Sequence, residues 1–143
     1  MSDSNKALIR RWALEGFNQN NMSVADEVYA ENVSYYEPSA GHVMGLEPLK
    51  QFVMTWRSAF PDSRLVIEEQ VAEGENLATR WTFLGTHKGS FRGMAPTGKA
   101  VTMGAMYFYR FKNGKVAEIH AMVNFLSLLQ QLGAVEIPPK KTT

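Results

Sequence analysis

The sequence predicts an α+β domain, in which helices come first and a curved antiparallel or mixed sheet then closes as a cone-shaped half-barrel around one long helix. Two observations lead there. Apolar residues recur every three or four positions as far as Phe60, whereas after Pro61 they recur every second position. The strand-like stretch 101–111 is apolar on both faces, so something must cover each side. Helices laid on such a sheet give a layered α+β architecture, and alternate strand residues then face a hollow whose open end admits a small molecule.

Each element has its own signal. Ser4 can cap a first helix over about residues 5–19, where Leu8, Trp12 and Ala13 share a stripe with Ile9 beside it, and NQNNM ends it. Ser23, with Asp26 in the capping-box position, opens a short second helix through Tyr29; NVSYYEP then reads as a short strand stopped by Pro38. Leu46, Leu49, Phe52, Val53, Trp56 and Phe60 mark the longest amphipathic helix, with Pro48 tolerable in its first turn. Four strands follow in RLVIEEQVAE, ENLATRWTFLGTH and KAVTMGAMYFYRFKNGKVAEIHAMV, with turns at Gly74 and at Asn113-Gly114. Leu126, Leu128, Leu129 and Leu132 make a closing helix with Gly133 as its C′ residue, and residues 134–143 are a polar tail expected to fray.

Composition bounds the function classes. At 143 residues the chain is read as a single domain over 1–143, with 45% apolar residues and a net charge of +1. Neither disorder nor an electrostatic demand for nucleic acid follows, and basic residues cluster only in IRR and PKKTT. The absence of cysteine excludes disulfides and thiolate chemistry and fits a reducing compartment, so a cytoplasmic location is expected. No apolar run approaches the roughly 20 residues needed to span a bilayer, and no membrane partner is expected.

The stretches AFPDSRLVIEEQVAEGENLATRW, GTHKGSFRGMAPTGKAV, YRFKNGKVAEI and LLQQLG together resemble the SnoaL-like polyketide cyclases, or ester cyclases, of the nuclear transport factor two-like superfold. The resemblance runs over roughly residues 5–133. It implies a cone-shaped barrel, a largely apolar cavity for polyketide-like substrates, no metal or organic cofactor, and a homodimer or higher homo-oligomer. Family cyclases close a ring by an intramolecular aldol condensation, using an aspartate before the last helix and commonly a tryptophan four residues earlier. Those places hold Asn124 and His120 here.

Strand alternation puts His120 and Asn124 on one face together with Glu118 and Met122, and that face is taken as the inner one. His120, with an ordinary pKa near 6.5, is then the candidate acid-base group, and Asn124 an oxyanion or carbonyl partner. The alternatives are a satisfied core histidine and a helix cap. Glu37 in YYEP is a second candidate base or a solvated strand-end charge, and His42 and His87 sit in Gly-flanked loops. The spacing of the three histidines contains no short zinc-type pair, so no metal is expected. Tyr36, Trp56, Trp81, Met106 and Phe108 are candidate lining for a flat hydrophobic substrate, with Arg110 meeting an anionic group by its parity with Met106 and Phe108. The chain is thus read as a cofactor-independent cyclase or isomerase, with a substrate-folding cyclase and a non-catalytic binder as alternatives.

Overall fold

A computed structural model describes residues 2–136 and 138. The expected tail therefore falls largely outside the described residues. The first helix, α1 (Ser2–Arg11), starts earlier than the Ser4 cap predicts and ends sooner. Beyond it Trp12–Phe17 widens into a π-helical turn, in which the Asn18 amide reaches the Ala13 carbonyl five residues back at 2.9 Å. The second helix is only α2 (Ala25–Val28), preceded by a 3₁₀ turn at Met22–Val24. Its predicted capping box does not form, because the Ser23 hydroxyl donates to Asn21 Oδ1 at 2.6 Å.

Six strands make one sheet: β1 (Tyr29–Glu37), β2 (Gly41–Met44), β3 (Arg64–Glu73), β4 (Asn76–Thr86), β5 (Ala100–Lys112) and β6 (Lys115–Val123). Their spatial order is β2-β1-β6-β5-β4-β3, with β1 and β6 parallel and every other neighbouring pair antiparallel. Strand β2 had no clear sequence signal. Four residues beside two glycines carry little periodicity, and the strand exists because a tight turn after Glu37 folds it back onto β1. The long helix, α3 (Leu46–Ala59), and the closing helix, α4 (Phe125–Leu132), match their predicted places, with Gly133 in the left-handed region at φ 80°.

The sheet's two faces are sharply different. Along β5, Val101, Met103, Tyr109 and Phe111 are buried, whereas Met106 is 64% exposed. Along β6, Ile119 and Ala121 are buried, and His120 and Met122 face out beside Phe108 and Met106 of β5. The expected inner row of Glu118, His120, Met122 and Asn124 is thus the outer row, and the parity expectation is corrected. Burial explains the direction. Turning Ile119 and Ala121 inward removes apolar surface from water, while the imidazole and the Glu118 carboxylate keep their hydration. A register shift between Arg110 and Phe111 lets Val116 and Ile119, of opposite parity, both point in.

Candidate active site

The concave side of the sheet and the inner face of α3 enclose a hollow that is open at its mouth. Its wall is mainly aromatic and aliphatic: Phe52 and Trp56 come from α3, Trp81 and Phe83 from β4, and Ala105 and Tyr107 from β5. These residues line it because each strand offers alternate side chains to one face and α3 presents Phe52 and Trp56 one turn apart. Trp56 and Trp81, two of the candidate lining residues, stand on this wall. Tyr36, Met106, Phe108 and Arg110 do not line the hollow. Tyr36 packs edge-on against His42 at 4.7 Å on the outside of β1 and β2, and Arg110 lies over Phe108 and pairs with Glu118 at 3.1 Å.

One carboxylate stands on the wall. Glu37, at the end of β1, is 3% exposed and is the acidic residue among those lining the hollow. Its inward direction follows from β1 alternation, since Val33, Tyr35 and Glu37 are buried and Tyr36 is not. Glu37 sits at the end of the strand, but its side chain is buried. It is held rather than solvated: the Ser39 amide donates to Oε2 at 3.0 Å and the Ser39 hydroxyl donates to Oε1. The Ser39 carbonyl in turn accepts from Arg92 at 3.0 Å. A loop residue therefore braces the turn that fixes the carboxylate.

A pair of phenols faces the same space. Tyr35 and Tyr107 bring their hydroxyl oxygens to 3.4 Å, and both line the hollow. Burial pushes both phenols above the ordinary tyrosine range, and the negative charge of Glu37 adds to the effect. Both therefore stay protonated as donors. Burial also raises Tyr109 well above that range, although nearness to Trp81 tempers the rise, and the Trp81 indole Nε1 has no hydrogen bond of ordinary geometry. Tyr35 and Tyr107 come from different strands, and their common signal in the sequence is the odd parity shared with Glu37 on β1 and Ala105 on β5.

The remaining candidates are dispersed. His120 is outside, with 59% of its side chain exposed and Glu118 at 4.0 Å. Asn124 is the N-cap of α4, its side-chain oxygen accepting from the Ser127 amide at 3.2 Å. His42 is exposed on β2. His87 is fully buried but pins the loop after β4, with Nδ1 accepting from the Thr97 amide at 3.2 Å and lying 3.0 Å from the Thr97 hydroxyl. Among the described residues, no three His, Cys, Asp or Glu side chains gather as a metal-ligand set.

The model of the SnoaL-like polyketide cyclase family matches residues 7–132. The chain belongs to this family. Among solved structures, AclR from Streptomyces galilaeus, a proposed hydroxylase, superposes with a TM-score of 0.86 at 28% identity, covering 98% of this chain and 91% of AclR. IdmH from Streptomyces antibioticus, a proposed polyketide cyclase, gives 0.79 at 26% identity, covering 90% and 98%. TsrD from Streptomyces laurentii gives 0.85 at 23% identity over 94% and 98%, which shows the common fold. A search of curated proteins found no match. The SnoaL-like cone is therefore the frame for this hollow, and no helix among the described residues is long and apolar enough to cross a membrane.

Proposed function

We propose that this SnoaL-like chain is a cofactor-independent cyclase or isomerase acting on a hydrophobic, polyketide-like intermediate, with Glu37 as its acid-base group. The observation that carries this reading is the buried Glu37 carboxylate on an otherwise apolar and aromatic wall, beside two phenols kept protonated by burial. In a ring closure, the carboxylate takes a proton from carbon, the enolate carbon attacks a carbonyl carbon, and the new alkoxide takes the proton back. The hydroxyls of Tyr35 and Tyr107 donate to the oxygen on which charge develops. The hollow's walls hold the reacting carbons together. Asn124 stands where the family resemblance puts an aspartate, and it serves α4 as a cap.

The same proposal includes self-association through the outer face of β5 and β6, where Met106, Phe108 and Met122 leave apolar surface exposed. The catalytic part is tested with purified protein and candidate polyketide precursors, scored by mass spectrometry for a product of equal or water-shifted mass. Glu37→Gln keeps the size of the side chain and is expected to lower turnover by about 10²–10⁴-fold, the usual worth of a general base. Full turnover in that variant would refute Glu37 as the base and favour a cavity that only folds its substrate. A ligand bound and released unchanged by the wild type would favour a binding protein.

A further inference from the structure

Arg92 sits at a recess outside the hollow, lined also by Ser39, Thr55 and Ser90, and sharing Phe52 and Trp56 with the hollow itself. Its guanidinium lies 4.5 Å from the centre of the Phe125 ring and 5.9 Å from that of Phe91. Aromatic faces hold the group in place and leave its planar edge available. Its guanidinium donates to a neutral group, the Ser39 carbonyl, at 3.0 Å, and among the described residues no carboxylate pairs with it. Three other arginines, Arg11, Arg80 and Arg110, each have a glutamate partner, whereas Arg10 donates to Gln70 and Arg57 to Ser63 and Pro61. The surrounding loop adds to the imbalance, because residues 87–99 contain Lys88, Arg92 and Lys99 and no acid.

A fork of N–H donors, neutral hydroxyls beside it and an apolar hollow that shares Phe52 and Trp56 with the recess suit one kind of ligand group. We infer that Arg92 seats a carboxylate at one end of a flat hydrophobic substrate whose carbon skeleton enters the hollow past Phe52 and Trp56. A planar guanidinium meets a carboxylate through two parallel hydrogen bonds, and the serine and threonine hydroxyls can add to them. Glu37 does not line the recess, and both its carboxylate oxygens are taken up by Ser39. This inference rests on the small-molecule reading of the hollow, but not on Glu37 being the base.

Anthraquinone-2-carboxylate and anthraquinone-2-carboxamide make the test, since they differ in charge and hardly in shape. Titration calorimetry on the wild-type protein should show the acid binding at least tenfold more tightly, with the margin shrinking as salt is raised. R92M should weaken the acid to the level of the amide, and an unchanged circular dichroism spectrum and melting temperature should show that the variant is folded. E37Q should keep the preference for the acid, so a failure of Glu37 as the base is distinguishable from a failure here. Equal affinities in the wild type, a preference that survives R92M, or no binding of either compound would overturn the inference.

Discussion

The phenolic oxygens of Tyr35 on β1 and Tyr107 on β5 meet at 3.4 Å across the intervening strand β6. The meeting is possible because Tyr35 is in register with Ile119 and Tyr107 with Ala121, so small or aliphatic neighbours leave the rings room. If these hydroxyls steady an enolate, Tyr107→Phe should lower kcat by about 10²–10³-fold, as loss of one oxyanion donor does, with little change in KM. Tyr35→Phe should act in the same direction, and the double variant should fall short of the product of the two. Steady-state kinetics on the three variants checks this.

Four buried phenols set the alkaline limit of stability. Tyr29, Tyr35, Tyr107 and Tyr109 all have pKa values raised by burial, so above the unfolded value near 10 the native state holds protons that the unfolded chain has lost. The slope of unfolding free energy with pH is then negative. Stability from these groups should be complete below pH about 10 and decline as pH rises beyond it. Urea midpoints at pH 8 and pH 11 should show the drop, and Tyr29→Phe should make it shallower.

Asn124 and His120 should behave as structural and surface residues. Asn124→Ala removes the α4 cap and should cost about 1 kcal/mol, whereas Asn124→Asp keeps a capping oxygen, should unfold like the wild type and should bring no new activity. His120→Ala should change stability by less than about 0.5 kcal/mol and leave turnover intact. Thermal melts and the product assay decide both.

These two residues also mark where sequence reading stopped. The period-two strands, the amphipathic spacing of α3 and the Gly133 stop were legible because each is a local pattern. Which face of β6 turns inward is not local. It depends on a register shift against β5 and on the competition between Ile119, Ala121 and Val123 on one side and His120 and Met122 on the other. Burial decides it, and turns Ile119 and Ala121 inward. Glu37 was legible as a candidate, but its two bonds to Ser39 depend on the turn into β2, a four-residue strand too short to carry a periodic signal.

Gly89 has a backbone reason to be glycine. A Cβ there would lie 2.1 Å from the Ser58 carbonyl oxygen, while the Gly89 amide donates to Ala59 at 3.0 Å. Gly89→Ala should therefore destabilise the fold by about 1–3 kcal/mol, an overpacking cost, measured as a lowered denaturant midpoint.

The outer face of β5 and β6 should govern assembly. Met106→Glu with Met122→Glu places charges where the proposed self-contact lies, and the pair should shift the protein to monomer in sedimentation while the secondary structure stays the same. An unchanged sedimentation coefficient would reject this face as the contact.

The alternation along β5 and β6 carries a practical corollary for anyone reshaping this protein. Met103 and Ala105 can be varied to recut the chamber, and Met106 and Phe108 to rewrite the exterior, with each set of choices nearly blind to the other. Two messages are interleaved on one ribbon, and a mutant library can edit either without erasing its neighbour.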